Sequence, residues 1–156
     1  MTKPKKIIAL LALFLFFSSC GYTPIFSKKD VNFGIEKIEF SGNKDVKENI
    51  NQALSSYKNK PGKTKQISLV ITNSKNITIA SKNSKGEAQT NKISVDVNVK
   101  IILAENNFFE KNFNKTSINT VINRKSEQKF IENKLIENLS HEITQQIILE
   151  ILKNTK

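Results

Sequence analysis

Between residues 93 and 101 the chain alternates without interruption, and Leu103 keeps the same parity. Ile93, Val95, Val97, Val99, Ile101 and Leu103 occupy one parity, and Ser94, Asp96, Asn98 and Lys100 the other. Only an extended strand puts every second side chain on one side, and the split in polarity predicts a sheet with one face against a core and the other in water. The rest of the chain must therefore supply neighbouring strands and something apolar to cover one face.

The cover is legible downstream. From Ser126 the period becomes helical, with Ile131, Leu135, Leu139, Ile143, Ile147 and Ile151 at four-residue steps and Ile136, Ile148 and Leu152 beside them. This predicts a long C-terminal helix of roughly 26 residues, N-capped by Ser126, with Glu127 and Lys153 suited to the two ends of its dipole. A shorter helix is expected over 45–58, capped by Asp45, with Val46, Ile50, Ala53, Leu54 and Tyr57 at 3.6-residue spacing. It follows a first strand over 33–40, whose apolar parity changes between Ile35 and Ile38 and so predicts a bulge, and the break Ser41-Gly42-Asn43. Ile67, Leu69, Ile71, Ile77 and Ile79 predict a second strand, bent at the polar stretch 73–76. Residues 81–91 read as an exposed basic hairpin connection carrying Lys82 and Lys85. Glu105-Asn106-Asn107 turns into a fourth strand bearing Phe109, Phe113, Ile118 and Val121, paired antiparallel with the third.

The N-terminus is of another kind. Lys3, Lys5 and Lys6 precede an apolar run over residues 7–17, then Ser18, Ser19 and Cys20. This is the layout of a secretory signal peptide, and the run falls short of the roughly 20 residues needed to span a bilayer. A cysteine directly after the small residues resembles a lipobox, although Phe17 stands where leucine is usual. The expected organisation is a signal peptide over 1–19, a lipidated tether over 20–32 beginning at Cys20, and a single domain over 33–156. Gly21, rather than aspartate, after the cysteine predicts delivery to the outer membrane.

Removing the leader takes away three of the 25 basic residues and none of the 14 acidic ones, leaving a charge of +8. An exported basic domain meets lipid phosphates rather than genomic nucleic acid, so nucleic acid is not expected as a partner. The only cysteine is assigned to the lipid and the only histidine, His141, lies off the apolar stripe, so neither a metal set nor a catalytic dyad is expected. No cofactor and no enzymatic activity are expected.

Cys20-Gly21-Tyr22-Thr23-Pro24-Ile25-Phe26 after the leader, Asn123-Arg124-Lys125-Ser126-Glu127-Gln128 before the long helix, and the order strand, helix, three strands, helix together resemble the LPS-assembly lipoprotein LptE family. The resemblance implies an α+β fold, two helices packed on a mostly antiparallel four-stranded sheet (β-α-β-β-β-α). It also implies an outer-membrane lipoprotein that acts as plug and partner of an LptD-like barrel in lipopolysaccharide transport. The chain departs from the family in its wealth of Lys and Asn. The alternative is an unrelated exported lipoprotein that binds a periplasmic protein or stabilises the envelope.

A ligand site for lipopolysaccharide is expected at Arg124 and Lys125 with Lys82 and Lys85. Arg124 is the only arginine, and guanidinium grips phosphate in two places where ammonium acts as a point charge. The positions match the family's basic residue before its Glu-Gln pair and, approximately, its basic loop.

Overall fold

A computed structural model describes residues 31–60, 62–63, 65–104 and 107–155. The leader, Cys20 and the tether as far as residue 30 lie outside the described residues. The elements are β1 (Phe33–Gly42), α1 (Lys44–Leu54), a 3-10 turn (Ser55–Tyr57), β2 (Lys65–Lys82), β3 (Ala88–Ala104), β4 (Asn107–Thr120) and α2 (Lys125–Asn154). The four strands form one sheet in the order β1-β2-β3-β4, with β1 parallel to β2 and the other pairs antiparallel. This is the α+β arrangement expected, with α2 lying over β3 and β4, α1 over β1 and β2, and the two helices packed on each other.

The alternation over 93–103 does what its period dictates. Ile93, Val95, Val97, Val99 and Ile101 are buried beneath the helices. Their cross-strand partners carry the same face outward on both sides: Leu69 and Ile71 in β2 stand opposite Ile101 and Val99, and Phe113 in β4 stands opposite Val97. The parity change in β1 is a bulge, since the register with β2 shifts between Ile35 and Lys37. The shift returns Ile38 and Phe40 to the side of Leu69 and Ile71.

Two caps differ from expectation. At α1 the cap is Asn43, whose Oδ1 accepts the N–H groups of Asp45 (3.1 Å) and Val46 (3.3 Å). Asp45 sits instead in the first turn and reaches back to Lys75 at 2.7 Å. That ion pair and its hydrogen bond hold the Asp45 carboxyl below its usual range. Asn43→Ala is expected to lower stability by about 1 kcal/mol, read as a small fall in the denaturation midpoint with an unchanged slope. At α2 Arg124 takes the cap position without a side-chain cap bond, and Ser126 lies inside the first turn. Gln128 does the tying there: its Oε1 accepts the Ile122 N–H at 2.9 Å, joining the first turn to the segment before it.

Helix α1 stops at Leu54 rather than at 58, and Tyr57 is buried from the 3-10 turn with its ring stacked on Phe33, centroids 5.7 Å apart. Helix α2 has 30 residues. Its buried stripe is Ile136, Leu139, Ser140, Ile143, Thr144, Ile147, Ile148 and Ile151, while Ile131 and Leu135 are only half-buried. Four-residue steps advance about 40° beyond a full turn each time, so a run of six such residues cannot stay on one face. Ser140 and Thr144 fill the gaps that this drift leaves. Each donates its hydroxyl to the carbonyl four residues earlier (2.7 and 2.8 Å), so no buried hydroxyl lacks an acceptor there.

Strand β2 runs unbroken through the polar stretch. The ladder with β3 keeps register from Ser68 to Ile79, and the supposed connection over 81–91 is largely strand, closed by a turn over residues 83–87. The polar stretch marks another boundary: β1 pairs with β2 only as far as Gly42 opposite Asn73, and α1 begins there. Beyond Asn73 the hairpin β2–β3 projects with no β1 beside it. In β4, Phe109 and Phe113 face the helices. Ile118 points to the other face, and Val121 lies one residue past the strand.

Candidate functional site

The projecting end is built around one asparagine. Asn83 Oδ1 accepts the N–H groups of Lys85 and Glu87, both at 3.0 Å, and its Nδ2 donates to Glu87 Oε2 at 2.8 Å. Gly86, with φ of 81°, completes the turn and donates its N–H to the Asn83 carbonyl at 3.0 Å. Lys82 ends β2 and Lys85 stands at the tip, both exposed.

The end of β4 and the start of α2 come to the same end of the sheet. Thr90 pairs with Thr120, and the Val121 N–H bonds the Gln89 carbonyl at 2.9 Å, so residues 121–125 leave the sheet beside the base of the hairpin. Arg124 and Lys125 are exposed there. The four residues expected to take an anion thus share one end of the sheet, and among the described residues no hydrogen bond or ion pair links one pair to the other.

Arg124 is already engaged. Its guanidinium lies 3.0 Å from Glu127, one turn along the helix, in a largely exposed pair. Such a pair holds by well under about 1 kcal/mol, which a phosphate in bidentate contact can displace. The Glu-Gln pair of the sequence motif therefore has local roles, Glu127 holding Arg124 and Gln128 holding Ile122. Two further cations at this end went unread. Lys92 lies on the uncovered face opposite Thr78 and Ile118, just past the stretch read as a connection, and Lys129 follows on α2.

The uncovered face of the sheet is the second candidate. It is almost wholly polar along its middle, where Asn98 donates to Asn112 at 2.6 Å and Asn114 to Asp96 at 2.5 Å. These residues line a shallow depression of about 290 Å³ together with Thr72 and Ser74. Amide side chains pairing across strands in this way give up little to water and leave further donors and acceptors free to meet a polar wall. His141 is exposed on α2, and among the described residues no three acidic, His or Cys side chains converge as a metal set would.

The domain superposes on rare lipoprotein B from Shewanella oneidensis with a TM-score of 0.58 at 12% identity, covering 77% of this chain and 96% of that one. Lipoprotein B from Nitrosomonas europaea gives 0.57 at 15% identity, covering 81% and 89%. This is the rare lipoprotein B fold. A minor lipoprotein from Acinetobacter baumannii shares it at a TM-score of 0.51 and 13% identity, covering 75% of this chain and 95% of its own. No family model matches the chain, and no curated protein matches it in sequence. Neighbours at such identity establish the fold alone. In this chain the fold is a sheet with one face under two helices and the other uncovered, the arrangement of two helices on one sheet that the resemblance implies.

Proposed function

We propose that this chain is an exported lipoprotein, anchored in the outer membrane through Cys20, which assists lipopolysaccharide transport as plug and partner of an LptD-like barrel. The observation that carries the reading is the bare, amide-rich face of a sheet in the rare lipoprotein B fold. The lumen of a wide membrane barrel is polar, and a face rich in Asn, Ser and Thr, with Asp96 already accepting from Asn114, can exchange water for polar lumen side chains. The role is non-catalytic. The basic end is the site for the anionic part of lipopolysaccharide, with Arg124 moving from Glu127 to a phosphate and Lys125, Lys82 and Lys85 supplying positive potential.

The test has two arms. Tagged chain extracted from envelopes is expected to co-purify with a large barrel protein, and recovery of soluble periplasmic proteins alone would overturn the reading. Arg124→Ala combined with Lys85→Ala is expected to weaken binding of purified lipopolysaccharide about tenfold or more, while circular dichroism and barrel co-purification stay unchanged. Equal binding by the folded double variant removes these residues from the ligand site.

A further inference from the structure

Six large apolar side chains are exposed among the described residues, and four of them gather where the sheet projects. Ile77 and Ile79 are 38% and 54% exposed on the helix-facing side of β2, beyond the point where β1 ends and α1 begins. Ile118 is 65% exposed on the opposite face of β4, and Phe130 is 70% exposed on the first turns of α2. Lys75 connects these positions. It reaches Asp45 at the start of α1, Asp45 and Phe130 border the same groove, and Ile77 and Ile79 follow Lys75 on the same face of its strand. The end of the sheet is therefore an apolar wedge with side chains on both faces.

The same end carries Lys82, Lys85, Lys92, Arg124, Lys125 and Lys129. Its carboxylates are held locally, Glu87 by Asn83, Glu127 by Arg124 and Glu132 by Gln128, and the three that line the Phe130 groove, Asp45, Glu48 and Glu137, pair with Lys75, Lys44 and Lys134. Exposed apolar groups ringed by cations are the combination that settles into the headgroup region of an anionic bilayer: the apolar groups enter the acyl boundary while lysines stay with the phosphates. An acidic protein surface would match the cations, whereas a bilayer boundary also accepts apolar side chains from both faces of the sheet at once. We propose that the projecting end, formed by the β2–β3 hairpin and the first turns of α2, docks on an anionic lipid surface. The contact is reversible and salt-sensitive, and it works from the opposite end of the sheet to Phe33, where β1 begins. It shares four cations with the ligand site proposed above but does not require lipopolysaccharide to be the cargo.

The experiment uses the full chain with Cys20→Ser, so that no lipid is attached, and measures partition onto phosphatidylglycerol-rich vesicles against phosphatidylcholine vesicles. Every variant keeps the same leader, whose Lys3, Lys5 and Lys6 also favour anionic vesicles, so the change in the ratio between variants isolates the charged end. Lys82→Gln, Lys85→Gln, Lys92→Gln and Lys129→Gln together are expected to lower that ratio about tenfold or more. Ile79→Ser, Ile118→Ser and Phe130→Ser together are expected to weaken binding even at high salt, and backbone amides of 77–92 are expected to exchange more slowly on anionic vesicles than in buffer. These side chains are exposed, so circular dichroism should report an intact fold. A ratio unchanged in the charge variant, or exchange in 77–92 that is indifferent to vesicles, overturns the proposal. Binding to dispersed lipopolysaccharide without binding to phosphatidylglycerol vesicles also overturns it and leaves the ligand site standing, whereas loss of barrel co-purification counts against the proposed function alone.

Discussion

Gly42→Ala is expected to cost the domain about 3–5 kcal/mol, seen as a fall in melting temperature of roughly 10 °C or more. Gly42 has φ of 111°, and a Cβ placed on it would lie 1.8 Å from the Asn73 carbonyl oxygen. That oxygen cannot move aside, because it accepts the Asn43 N–H at 3.4 Å while the Asn73 side chain donates to the Ser41 carbonyl at 3.0 Å. The last pair of the parallel ladder, Gly42 with Asn73, would have to part. Asn43 would lose its place as the cap of α1 at the same time. Gly86→Ala provides the control: Gly86 also has positive φ, of 81°, but open space around its Cβ, so only backbone strain of about 1–2 kcal/mol is expected. Equal melting temperatures for Gly42→Ala and the parent would show that β1 does not close on β2 in this way.

The contrast between the two glycines shows what a sequence can disclose. Ser41-Gly42-Asn43 is recognisable as a break between a strand and a helix, but the requirement for glycine comes from Asn73, 31 residues away in another strand. The alternation over 93–103 was legible because β3 is central and has one face buried along most of its length. Residues 81–91 were not legible as strand because the hairpin projects past its cover, and a strand wet on both faces shows no apolar period. For the same reason 73–76 looked like a bend in β2, although what ends there is its neighbour. Local chemistry also left the caps open. Asn43 and Asp45 are both good capping residues, and it is Lys75, brought in by the sheet, that draws Asp45 into an ion pair. The basic end was half legible: the lone arginine drew attention to Arg124, but its partner Glu127 and the exposed Ile77, Ile79 and Phe130 become meaningful only once the fold sets them at one end.

Ile143→Asp is expected to leave the domain unfolded, or nearly so, at neutral pH. Ile143 is fully buried at the middle of the α2 stripe, with Leu139, Ser140, Thr144 and Ile147 around it. Exchanging it forfeits about 2–3 kcal/mol of apolar burial, and enclosing an unpaired carboxylate adds several kcal/mol more, against a total stability of about 5–15 kcal/mol. The neighbouring cation, Lys115, already pairs with Glu142 at 3.2 Å, so it is not available for a second carboxylate without breaking that bond. Burial raises the pKa of the new carboxyl in the folded state, and the unfolded chain therefore ionises first. The penalty accordingly grows as pH rises through the unfolded value near about 4 and shrinks again as pH falls toward it. Denaturant midpoints at pH 5 and pH 7, each compared with the parent, should show the deficit narrowing in acid. Leu149→Asp, on the exposed side of the same helix, should shift stability by no more than about 0.5 kcal/mol. If Ile143→Asp melts with the parent and shows no dependence on pH, α2 does not cover the sheet through this stripe, and the packing of both helices on one face would have to be abandoned.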